Sequence, residues 1–94
     1  ITSAVASVSG TATSQGVDVD PSNSGYRNAA GESVSLATVS ALACKGDAAL
    51  TVTAGGVALQ SAAGQAAVTA LSDYSGNITV QGTGSFQLML VGEE

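Results

Sequence analysis

The chain lacks histidine and tryptophan, and among its 94 residues it has one cysteine, one proline, one phenylalanine and two cations, Arg27 and Lys45. Each shortage removes a class of function. Without His, general acid–base chemistry loses its usual agent at neutral pH, a nucleophilic serine has no imidazole base, and an ordinary zinc site cannot be assembled. A single thiol, Cys44, excludes an internal disulfide. With only two cations in a chain of net charge −5 and pI near 4.1, phosphate backbones and anionic membrane surfaces find no basic footprint. No apolar run reaches the roughly 18 residues of a transmembrane helix, so no membrane insertion is expected. No signal peptide is visible, and the chain begins at Ile1 without an initiator Met, as expected either of a chain whose leader has been removed or of a fragment.

Charge is scarce altogether: 10% of residues are ionised, against about 25% in typical soluble domains. Much of the surface is therefore Ser, Thr, Gly, Ala, Asn and Gln. Such a surface suits subunits lying flush against neighbours, or it simply follows the composition of the source organism. Bulk is scarce too, because 17 of the 42 hydrophobic residues are alanine. Small side chains bury little area each, so stability requires tight packing or help from neighbouring molecules.

What is present reads as strand. Val, Ile and Thr supply 22 residues, and short apolar runs alternate with Gly, Asn, Asp and Ser. The runs are Ser3 to Ser9, with an extension through Thr11 to Thr13 beyond Gly10, then Val17 to Asp20, Ser33 to Ala43, Ala49 to Thr53, Val57 to Gln60, Gln65 to Leu71, Ile78 to Gln81 and Ser85 to Val91. Asp20 to Glu32 is the longest irregular stretch and the expected exposed loop. Ser33 to Ala43 alternates as a strand would, placing Val34, Leu36 and Thr38 on one face. Its Leu36, Val39 and Leu42 also recur at helical spacing, so a helix competes there. Ala54-Gly55-Gly56 between two apolar runs signals a hairpin bringing Leu50 and Val52 near Val57 and Leu59. In the last run Phe86, Leu88 and Leu90 face one way, and apolar residues on both sides mark a central strand.

Few residues point to chemistry. Asp18 and Asp20, two apart, share a face if extended, and Ser22, Asn23 and Ser24 add oxygens nearby, making a candidate Ca²⁺ site. The segment fails the EF-hand pattern, because Asn23 stands where Gly is needed and Ala29 where Glu is needed. Gly82-Thr83-Gly84 precedes a strand, so it is a turn and not a dinucleotide loop. Tyr26 and Tyr74 fall in expected turns, beside Arg27 and Asp73. They read as loop anchors, and Tyr26, Arg27 and Tyr74 are the candidate partner contacts. Two Tyr without Trp also permit a sugar-binding face. Cys44 reads as a small buried hydrophobe; Lys45 beside it is the one feature favouring a reactive thiol, and an intermolecular disulfide is the other use for it. Asn77-Ile78-Thr79 forms an N-x-[ST] sequon, meaningful only in an exported eukaryotic or archaeal chain.

The stretch from Leu50 to Thr53 through Ile78 to Val80 and Phe86 to Gly92 resembles the strand pattern of small β-sandwich modules on phage virions and on bacterial or archaeal surfaces. The likeness covers about half the chain and transfers no functional residue. Among these modules, phage head decoration proteins are similar in size, acidity, lack of catalytic groups and near absence of lysine. That resemblance implies a subunit that binds a capsid lattice, often as a trimer, and braces it.

The sequence thus predicts an all-β, single-domain antiparallel β-sandwich or jelly roll of about seven short strands over residues 1–94, with 1–13 a candidate strand-exchange arm. It predicts no enzyme and no cofactor. The expected role is a structural subunit that assembles into or decorates a larger particle, foremost a viral capsid, with copies of itself or a capsid lattice protein as partners. A cell-surface or extracellular filament subunit joined by strand exchange is the alternative, and a carbohydrate-binding or adhesive module the third reading.

Overall fold

Every regular element among the described residues is extended, as the Val, Ile and Thr content requires. The structure, a computed structural model, describes residues 3–22, 26–27 and 31–94; Ile1, Thr2, Asn23, Ser24 and Ala29 lie outside the described residues, as do the side chains of Tyr26 and Arg27. Ten strands follow in order: β1 (Ser3–Thr11), β2 (Val17–Val19), β3 (Tyr26–Arg27), β4 (Ser33–Val34), β5 (Thr38–Gly46), β6 (Leu50–Ala54), β7 (Val57–Ser61), β8 (Ala67–Tyr74), β9 (Ile78–Gly82) and β10 (Ser85–Glu93).

They form two antiparallel sheets, one of six strands in the order β4-β3-β1-β10-β5-β8 and one of four in the order β2-β9-β6-β7. Setting β3 and β4 aside, the eight remaining strands pair first with last: β1 with β10, β2 with β9, β5 with β8, β6 with β7. One long antiparallel ribbon has been rolled up, and the roll is closed by β10 against β5 and β6 against β9. This is jelly-roll connectivity, and it confirms the all-β sandwich expected from the sequence.

Ten strands replace about seven for two local reasons. β3 and β4 pair as a hairpin at the flank of β1, placing Tyr26 and Arg27 in a strand instead of the turn expected of them. The run Ser33 to Ala43 also divides. Ser35 to Ala37 leave the sheet, with Leu36 N–H donating to the Pro21 carbonyl at 2.8 Å and Ala37 N–H to the Glu93 carbonyl at 2.7 Å. In β5 both neighbouring ladders skip Ser40, so Val39 pairs with Gly92 and Ala41 with Val91. One extra residue reverses the alternation. Val39 and Leu42 consequently both point inward, which produces the helix-like spacing without a helix.

The core lies between the sheets. Ala6, Val8, Leu42, Cys44, Phe86, Leu88 and Leu90 of the larger sheet meet Val19, Leu50, Val52, Ala54, Ile78 and Val80 of the smaller. As the alternation predicts, Phe86, Leu88 and Leu90 are buried, and β10 is central in its sheet. The β6–β7 hairpin turns on Gly55 and Gly56, with Val52 opposite Leu59 and Ala54 opposite Val57. Gly55 alone of the pair has positive φ, +61°, the sign pattern of a type II′ turn.

Candidate interaction surface

Residues directly opposite in antiparallel strands point to the same side, so register alone maps each outer face. On the larger sheet one outward row runs Val5, Val91, Ala41, Ala70, and the next runs Ser7, Met89, Ala43, Val68. A third row holds Ser9, Gln87 and Lys45. Val68 is 70% exposed, Met89 50% and Val5 40%, three of the four large hydrophobics exposed among the described residues. In the backbone register Arg27 is the partner of Ser7, at the flank of β1. A shallow groove of about 410 Å³ crosses this face, lined by Ser7, Ala43, Lys45, Gln87 and Met89 among others.

The outer face of the smaller sheet is different. Its rows are Asp18, Thr79, Thr53, Ala58 and Gln81, Thr51, Gln60. Those hydroxyls, amides and the Asp18 carboxylate make a surface that water solvates well, without a large exposed hydrophobic. The two sides of the sandwich are therefore unequal. One presents solvated Thr and Gln; the other presents Val, Met and Ala in adjoining rows.

The two carboxylates of the candidate cation site are separately engaged. Asp18, in β2, accepts a hydrogen bond from the Thr79 hydroxyl at 3.1 Å on the neighbouring strand. Asp20 lies beyond β2 and accepts from the Ser22 hydroxyl at 2.7 Å and the Ser22 N–H at 3.0 Å. These bonds, the hydroxyl's first and the backbone's second, hold its carboxyl below the ordinary value of 3.8 against a small opposing effect of burial. Among the described residues no group of three or more Cys, Asp or Glu side chains converges as metal ligands.

Tyr74 is half-buried and packed against the core; its hydroxyl donates to the Asn77 carbonyl at 2.6 Å. It lies at the end of β8, not in a free turn, and acts as the loop anchor of the sequence reading. Tyr26 and Tyr74 are not brought together. Strands β3 and β8 are separated by β1, β10 and β5, a lateral distance of about 19 Å at ~4.8 Å per strand. Cys44 is a buried free thiol in β5, behaving as the small hydrophobe expected of it. Asn77 is exposed between β8 and β9.

The sequence reading missed Val5, Val68 and Met89 as surface residues. Alternation along β10 does place Met89 opposite the core, but only pairing reveals that Ala43 and Val68 adjoin it. Comparison of the chain with family models, curated proteins and solved structures gave no match.

Proposed function

We propose that the chain is a non-catalytic structural subunit that lies with the outer face of its six-stranded sheet against a larger particle, in the form of a protein that decorates and braces a viral capsid. The observation that carries this reading is the asymmetry of the sandwich. Val5, Met89, Val91 and Val68 form adjoining apolar rows on one face, while Thr and Gln cover the other. Contiguous exposed apolar surface is uncommon on monomers and marks contact sites. The jelly roll adds a fold-level analogy, since capsid proteins use it, although lectins do as well. Localisation on a virion or outside a cell follows from this role.

The filament alternative requires a donated strand and a vacant place for it. β1 is paired by β10 and by β3 within the same chain, with Ala6 and Val8 buried, which supports the decoration reading over a donated strand. The sugar-binding reading requires its two tyrosines on one exposed face, and Tyr26 and Tyr74 sit on strands at opposite flanks of the sheet.

Electron microscopy and light scattering of material from the native source provide the test. The chain is expected in stoichiometric amounts on particles of high mass, and Met89→Lys, in the centre of the face, is expected to abolish rebinding to particles stripped of it while leaving the fold intact. A persistent free monomer that binds a glycan array overturns the proposal.

A further inference from the structure

We infer that two copies of this chain associate through β8, pairing antiparallel about a two-fold axis perpendicular to the sheet, so that the six-stranded sheets of both copies join into one. This builds on the assembly reading above, for which it supplies the lateral partner.

The edges of the sandwich are unequally protected. β4 and β2 end their sheets with two and three residues, and β7 with five, whereas β8 is an eight-residue edge paired only with β5 among the described strands. An exposed edge strand presents a row of unpaired N–H and C=O groups, which proteins usually shield with Lys, Pro, bulges or shortness. Residues 67–71, Ala-Val-Thr-Ala-Leu, contain none of these devices. The shield comes only afterwards: Asp73 has φ +46°, and the ladder jumps from Ala70 to Tyr74 on β8 while β5 advances from Ala41 to Val39. The pairing-competent segment of β8 is thus five residues, as long as the neutral edge β7; β8 differs in carrying the outward rows of the six-stranded sheet to its margin through Ala70 and Val68, and in the charges at its ends.

Charge selects the occupant. From Ala48 to Ser72 there is no ionised side chain, so β6, β7 and most of β8 are neutral in a chain of net charge −5. A cationic partner is drawn to the acidic parts of the surface, whereas a second acidic copy meets the least repulsion here. The ends of β8 sharpen the choice. Cys44 pairs with Ala67, so Lys45 lies at the strand's start, and Asp73 lies at its other end. Antiparallel pairing sets the start of one β8 beside the end of the other, bringing Lys45 of each copy to about 10 Å from Asp73 in the other when Val68 meets Ala70, and to about 14 Å when Val68 meets Val68. A two-fold contact repeats that attraction twice, while a parallel contact sets Asp73 against Asp73. Because the axis is perpendicular to the sheet, the outer faces of the two copies point the same way. Val68 then meets Val68 or Ala70 of the second copy, and the apolar rows run on across the junction.

Sedimentation equilibrium of the full chain over a concentration series tests the inference. Wild type is expected to show a monomer–dimer equilibrium. Val68→Lys/Ala70→Lys and Val68→Glu/Ala70→Glu are each expected to dimerise at least tenfold more weakly, since like charges then oppose in either register, and their equimolar mixture is expected to recover dimer mass. Both positions are exposed, and unchanged circular dichroism and melting confirm that the variants fold. A wild type that stays monomeric at millimolar concentration, or paired-lysine and paired-glutamate variants that dimerise as wild type does, overturns the edge pairing. Met89→Lys separates the two proposals: loss of particle binding with dimer mass retained assigns the face and the edge distinct roles, and loss of dimer mass in Met89→Lys contradicts pairing at β8.

Discussion

The ring of Tyr74, at the end of β8, lies directly against Gly55 in the β6–β7 turn, where a Cβ would stand 2.9 Å from the aromatic edge. A residue of the six-stranded sheet thereby clasps the turn of the four-stranded one. Tyr74→Phe removes the hydrogen bond to the Asn77 carbonyl and is expected to cost about 1 kcal/mol, or ~4–8 °C in melting temperature. Gly55→Ala meets both the ring and the left-handed backbone, and about 2 kcal/mol is expected. Denaturant melts of the two variants and their double mutant should reveal non-additivity, because both alter one contact.

Gly92 serves the bulge at Ser40. A Cβ there would occupy the position of the Thr38 carbonyl, which no side-chain rearrangement can move. Gly92→Ala is expected to destabilise by about 3 kcal/mol or more. Gly56, whose Cβ position meets nothing within 4 Å, is the control, and Gly56→Ala should stay within about 0.5 kcal/mol of wild type. Equal effects at the two sites in urea titrations would dispose of this account.

Acid weakens the turn after β2 through Asp20. Its carboxyl is held below the ordinary value in the folded chain by Ser22, so its stabilisation is present above the unfolded value near 3.8 and disappears as pH falls through the lowered one. Carbon-detected NMR titration should show Asp20 moving back toward the ordinary range in Ser22→Ala. The melting temperature of Asp20→Asn should vary less between pH 5 and 2 than that of wild type.

Cys44 is closed off from solvent between Leu88 and Ala67 in register. Thiol reagents are expected to label it only at the rate at which the sandwich opens, so labelling should accelerate with urea in step with unfolding. Cys44→Ser, which buries a hydroxyl in its place, should cost about 1–3 kcal/mol. Rapid labelling of the native chain would contradict the burial.

Ser61, opposite Leu50 at the end of β7, buries its hydroxyl without a hydrogen-bond partner. Removing it should help. Ser61→Ala is expected to raise stability by about 1 kcal/mol, read as a higher urea midpoint with unchanged m-value.

Much of the fold was legible because its signals are local. The alternation of Phe86, Leu88 and Leu90 with Gln87 and Met89 identifies a strand and its buried side, and Gly55-Gly56 between apolar runs identifies a hairpin and nearly its register. The lack of His and scarcity of cations likewise restrict function from composition alone. Ser40 carries no such mark. A serine within a strand does not announce a bulge, and the resulting Leu36, Val39, Leu42 spacing imitates a helix. Tyr26 was read as a turn residue for a related reason, since a two-residue strand is too short to alternate and exists only because β1 offers it a partner.

The candidate surface belongs wholly to the second category. Ser7, Met89, Ala43 and Val68 are dispersed through the chain and become one row only when β1, β10, β5 and β8 lie side by side in register. The sequence by itself determined that this protein is made of strands, is poor in ionised residues yet acidic, and buries alternate residues, because backbone preference, electrostatics and period-two alternation act between near neighbours or through composition. Only the tertiary structure decided that the strands roll into a jelly roll, that three of the four large apolar residues left exposed gather on one sheet, and that β8, at its edge, carries an unshielded segment at residues 67–71. Those properties depend on hydrogen bonds between segments far apart in the chain, and no short window of residues contains both partners.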